Sequence, residues 1–135
     1  MFRALRLTLV LGLLVAMPGL AGAQTFVNRD VNLRAGPDRV FPVVTWLRAG
    51  TRVRVFGCTS GWRWCDVASG RHRSWLSSAF LSSWSQRGTP IVTWSIGPYW
   101  DMHYRGQPWF GSRSQWDAWG SPAWRPPPPP PRGRW

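Results

Sequence analysis

The sequence predicts a small all-β barrel, and three observations carry that prediction. Short apolar runs alternate with period 2, most clearly in Gly50-Thr51-Arg52-Val53-Arg54-Val55. Glycine, proline and small polar residues punctuate these runs at short intervals, as in Gly36-Pro37-Asp38, Arg48-Ala49-Gly50 and Ala68-Ser69-Gly70. No amphipathic helical pattern of useful length separates them, so about five short strands must bury their apolar faces against one another.

Taken in order, Thr25-Phe26-Val27 opens a first strand that Asn28-Arg29-Asp30 carries into Val31-Asn32-Leu33, with Val31 and Leu33 facing one way. Gly36-Pro37-Asp38 turns the chain into an irregular arm from Arg39 to Val44, where Pro42 argues against a central position in a sheet. Val53 and Val55 then supply a core face opposite Arg52 and Arg54. A hairpin pairing Cys58 with Cys65 puts Phe56 opposite Val67, on the other parity from Val53 and Val55. Gly57 is the place for a bulge that reconciles the two. After the turn at Gly70, Trp75-Leu76 returns to the core, and Ser77 to Leu81 reads as a short helical turn with a last strand.

Ahead of this region, Arg3 and Arg6, the apolar run from Leu7 to Met17, Pro18-Gly19 and Ala21-Gly22-Ala23 form the pattern of a secretory signal peptide, so the mature chain is expected to start at Gln24. A membrane anchor is the other reading, but the apolar run is well short of the ~20 residues that span a bilayer. The remaining chain suffices for one compact core with appendages. The full chain's 17 basic residues are all arginine and its 5 acidic residues all aspartate. Losing Arg3 and Arg6 leaves it strongly cationic. Such a charge draws a protein towards anionic polymers and surfaces, and for an exported protein these belong to the cell envelope rather than to nucleic acid.

Cys58 and Cys65 are the only cysteines, and export places them where disulfides persist. The residues between them, Thr59 to Trp64, can turn a hairpin and bring the two within bridging reach. A loop this short yields about 2 kcal/mol in the chain-entropy picture. A redox pair or metal ligands are disfavoured, since the spacing is not C-x-x-C and no second pair exists.

These residues, in this order, resemble the bacterial SH3 domain (SH3b) of exported cell-envelope proteins. The likeness runs from about Thr25 to Leu81. It is carried by Asn32-Leu33-Arg34-Ala35-Gly36-Pro37, by Leu47 with Gly50 and Val53, by Trp64 with Val67, and by Trp75-Leu76 with Phe80-Leu81. Ser74 stands where the family usually has glycine, and Arg71-His72-Arg73 enlarges the charge of that hairpin. The resemblance implies a five- to six-stranded SH3-like barrel over residues 24–81, places Trp64 and Trp75 in or near its core, and implies a cell-wall ligand, peptidoglycan first.

Beyond the barrel, residues 82–88 read as a linker and residues 89–120 as an aromatic-rich appendage. In the appendage, Ile91 to Ile96 has the composition of a strand closed by Gly97-Pro98, and Tyr99 to Tyr104 is a dense aromatic patch. The appendage is expected to pack on the barrel. Residues 121–135 form a disordered tail whose six prolines, Pro126 to Pro131, favour a polyproline II rod. A stiff spacer is the simpler reading of that rod, and folding back onto an aromatic groove the other.

Catalysis finds little support. The chain has no glutamate or lysine, its two histidines, His72 and His103, lie in different segments, and no serine or free thiol is tied by spacing to Asp101 and His103. No cofactor and no metal are expected. Binding is better supported, because 12 tryptophans exceed what so small a barrel can hide. Guanidinium groups beside flat rings suit sugars with carboxylates or acidic peptides. The candidate ligand-binding residues are Trp62 at a hairpin tip, Phe41 and Trp46 on the arm, and Arg63, Arg71 and Arg73. The expected function is that of a periplasmic or secreted, non-enzymatic binder of a cell-wall glycan or peptide or of an anionic envelope surface, not membrane-spanning after cleavage. The alternative is a scaffold that recruits a protein through the appendage and tail.

Overall fold

The computed structural model describes residues 24–128. Residues 1–23, read from the sequence as a signal peptide, and the last part of the proline tail lie outside the described residues. Seven strands form one antiparallel sheet: β1 (Thr25–Val27), β2 (Val31–Arg34), β3 (Val43–Leu47), β4 (Arg52–Cys58), β5 (Trp64–Ser69), β6 (His72–Ser77) and β7 (Leu81–Ser82). They are ordered β3-β2-β6-β5-β4-β1-β7. The fold is all-β, as the alternating pattern predicts, and SH3-like, as the resemblance implies.

Two strands stand where the sequence suggests one continuous first strand. β1 pairs with β4 and β7, whereas β2 pairs with β3 and β6, so the chain must turn a corner between them. The exposed residues Asn28-Arg29-Asp30 make that corner. Polar side chains hold it: Asn28 Nδ2 donates to the Ala79 carbonyl at 3.1 Å, and Asp30 Oδ1 accepts from the Ala49 amide at 2.9 Å.

The barrel core joins Val27, Val31, Leu33, Leu47, Val53, Val67, Leu76 and the two cysteines, all buried. Cys58 and Cys65 are opposite one another on β4 and β5 and form a disulfide, with Cα atoms 4.0 Å apart. The bulge lies where parity demands one, but the residue it displaces is Phe56. Val55, not Phe56, is opposite Val67, and the register resumes at Gly57↔Asp66. Val53, Val67 and the cystine therefore share the core, and Phe56 turns outward beneath the Arg54 and Arg73 guanidinium groups, whose carbons lie 4.9 and 3.5 Å from its ring centre.

Gly57 has a second duty. A Cβ there would collide with the Val92 side chain and come within 2.9 Å of the Pro90 carbonyl oxygen. Its bare backbone lets residues 90–92 cross over as a strap: the Cys58 amide donates to Pro90 O at 2.9 Å, and the Val92 amide to Cys58 O at 2.8 Å. The expected strand from Ile91 to Ile96 reduces to this one parallel bridge, Cys58↔Ile91. Past Val92 the chain instead enters helix α1 (Ile96–His103), in which Pro98 occupies the first turn, where an amide has no intrahelical acceptor to lose.

Helix α1 and the 3₁₀ segment Phe110–Trp116 carry a second core onto the barrel. Trp100, Tyr104 and Trp116 are buried with Ala35 and Phe41, and Trp94, Trp109, Trp119 and Trp124 pack around them. Phe41 stacks on Trp116 with ring centres 4.6 Å apart, and Trp100 Nε1 donates to the Ala35 carbonyl at 2.9 Å. The ordered packing extends past residue 120, since Trp124 lies 5.4 Å from Trp116 and donates to the Gln115 carbonyl. In the segment read as a linker, Trp84 packs against the barrel core.

Candidate ligand-binding groove

In β2, alternation sends Val31 and Leu33 into the core and leaves Asn32 and Arg34 on the outer face. That face becomes the floor of a groove of about 760 Å³, closed by the Arg29-Asp30 corner, the Asp38-Arg39 turn, Arg63-Trp64 at the start of β5, and residues 77–80. Four arginines line it, Arg29, Arg34, Arg39 and Arg63, together with Trp64 and Phe80.

Each side chain is positioned by its local structure. The Arg29 guanidinium lies 5.3 Å over the Phe80 ring centre. Arg34 Nη1 donates to the Phe41 carbonyl at 3.0 Å. Burial, and then the nearby charge of Arg39, lower the Arg34 pKa, while Asp38 opposes them. An arginine nonetheless stays protonated. Trp64 is half-buried and opposite Ser77 in the β5–β6 ladder. The two aspartates of the groove serve the backbone, Asp30 accepting from Ala49 and Asp38 from the Val40 amide at 3.1 Å. The four guanidinium groups thus outnumber the carboxylates, and their donors match carboxylate geometry two at a time.

Of the candidate binding residues, only Arg63 lines this groove. Trp46 is half exposed and is the cross-strand partner of Asn32 on its floor. Phe41 is 1% exposed, enclosed by Trp94, Trp116 and Trp119, and offers no free face. Trp62, with a positive φ of 52°, folds back against the barrel core and points its Nε1 towards the Thr89 carbonyl at 3.5 Å. Arg71 is exposed on the β5–β6 turn, away from the groove lining. Arg73 is engaged with Asp66, Nε to Oδ1 at 2.7 Å and Nη2 to Oδ2 at 2.6 Å, and these hydrogen bonds raise its pKa. Trp64, implied by the resemblance to lie in or near the core, is half-buried and lines the groove. Arg29, Asn32, Arg34, Arg39 and Phe80 are not among the binding candidates read from the sequence, although the alternation Val31-Asn32-Leu33-Arg34 places Asn32 and Arg34 on the outside.

The Asp101 and His103 pair is dispersed: Asp101 Oδ1 accepts from Arg113 Nη1 at 2.6 Å, and the His103 ring lies 4.7 Å from that of Tyr99. Burial, reinforced by Arg73, lowers the His103 pKa below 6.5. Among the described residues, no three His, Cys, Asp or Glu side chains gather as a metal site, and no helix is long and apolar enough to cross a membrane.

Residues 29–82 match the family model described as Bacterial SH3 domain. This segment is a bacterial SH3 domain. Every residue lining the groove falls within it. No curated protein and no solved structure matches the chain. Bacterial SH3 domains commonly serve in binding. The SH3 domain and its closed Cys58–Cys65 disulfide together point to an extracytoplasmic location.

Proposed function

We propose that this protein is an exported, non-enzymatic binding module, periplasmic or secreted, that holds peptidoglycan or another anionic envelope polymer in the groove of its SH3 domain. One observation carries the reading: four arginines line a single groove together with Trp64 and Phe80, and one of them, Arg29, lies over the Phe80 ring. The guanidinium edges pair with carboxylates, and the rings give the flat apolar faces on which sugars or stem-peptide side chains rest.

The scaffold alternative, with the appendage as the recruiting surface, is less favoured. Its aromatic residues are turned inward onto Phe41 and Ala35, so the rings a partner would grip already have neighbours.

Co-sedimentation of the mature protein with purified sacculi at rising salt tests the reading. Charge pairing weakens as the Debye length shrinks to ~3 Å at 1 M salt, whereas ring contacts persist. The expected outcome is retention that falls with salt to a finite plateau, and that a Trp64→Ala variant loses at 1 M. Retention that vanishes completely in wild type, or never forms, contradicts it.

A further inference from the structure

A second cationic groove lies elsewhere on the barrel. It has a volume of about 520 Å³ and runs between the start of β1, the outer face of β4 and the loop after β7. It shares no lining residue with the first. Arg52, Arg54 and Arg87 line it, all exposed, together with half-buried Trp84, and its lining includes no carboxylate.

None of the chain's aspartates lines this groove. The five are placed elsewhere: Asp30 and Asp38 line the first groove, Asp66 pairs with Arg73, Asp101 with Arg113, and Asp117 ends the Phe110–Trp116 segment. Arg52 and Arg54 flank buried Val53 and therefore project from the same side of β4, about 7 Å apart along the strand. Aromatic rings orient both. The Arg52 guanidinium lies 5.8 Å from the Phe26 ring centre and that of Arg54 lies 4.9 Å from Phe56. A cation–π contact of this kind does not consume the guanidinium N–H donors, which stay available to a carboxylate. Arg87 sits in a loop closed on itself, where Ser85 Oγ accepts from the Arg87 amide and Thr89 Oγ1 donates to the Ser85 carbonyl at 2.7 Å.

We propose that this groove binds a second carboxylate-bearing segment of the same envelope polymer, so that one molecule bridges two polymer strands. The inference rests on the proposed function of the first groove and adds valency to it. The test uses hexagalacturonate as a soluble carboxylated probe, titrated calorimetrically, together with agglutination of purified sacculi followed by light scattering. Wild type is expected to take up two hexamers per chain and to agglutinate sacculi. R52S/R54S/R87S should take up one hexamer, still co-sediment with sacculi, and agglutinate them at least tenfold less. A control with three exposed arginines outside both grooves replaced, R48S/R71S/R105S, should behave as wild type. One hexamer per wild-type chain, or a groove variant that agglutinates like wild type, overturns the inference while co-sedimentation through the first groove leaves the proposed function standing. Loss of co-sedimentation in wild type itself overturns both.

Discussion

Arg73 donates two hydrogen bonds to Asp66 from within the same hairpin, and Asp66 in turn accepts the Tyr99 hydroxyl at 2.7 Å from helix α1. Tyr104 of the appendage closes the contact by donating to the Arg73 carbonyl at 2.8 Å. One ion pair on the barrel thus fastens the appendage to it. Asp66→Asn keeps the shape but removes the charge facing a partly buried guanidinium, and should lower stability by about 2 to 3 kcal/mol in denaturant titration. Tyr99→Phe should cost about 1 kcal/mol, and the double variant less than the sum, because both remove a hydrogen bond to one carboxylate. Strict additivity contradicts the coupled clasp.

Gly57 is required by a close approach and not by its backbone angle. Gly57→Ala should destabilise by at least about 2 kcal/mol, since the new methyl meets the strap at Val92 and Pro90. A second change, Val92→Ala, relieves the side-chain part of the clash and should restore some of that loss. If Gly57→Ala is neutral, or Val92→Ala fails to help, the strap does not cross there.

Alkaline pH offers a clean probe, because the chain has two tyrosines, no lysine and no free cysteine. Burial raises the pKa values of both Tyr99 and Tyr104 above the ordinary value of 10.0. The folded state therefore holds these protons more tightly than the unfolded state does. Stability is fully present below pH 10 and falls as pH rises beyond it. Tyrosinate absorbance should stay low through the normal tyrosine range and then appear together with loss of near-ultraviolet dichroism. Smooth titration near pH 10 in a folded protein contradicts the buried clasp.

The barrel was legible because period-2 alternation and turn residues are local signals. The cystine was legible because compartment and spacing are properties of the chain itself. What escaped the sequence depends on contacts between distant residues. The six-residue run at Ile91 has strand composition, but only the Gly57 passage gives it a ladder partner, for a single bridge. Phe41 looks like an arm residue until Trp116, 75 positions later, stacks on it. The groove is hidden for a different reason: tryptophan beside arginine is visible along the sequence, whereas Arg29, Arg34, Arg39 and Arg63 meet only when a corner, a strand, a turn and a hairpin converge.

The central claim is that placement of arginines in the first groove, and not total charge, holds the envelope polymer. The direct measurement is retention on purified sacculi at moderate salt for wild type, for R39S/R63S, which removes two groove arginines, and for R48S/R71S, which removes two exposed arginines outside it. The account predicts at least a tenfold loss of affinity for R39S/R63S and near wild-type retention for R48S/R71S, on the scale of charge-assisted pairs. Equal losses in the two variants would show general adhesion to negative charge and contradict it.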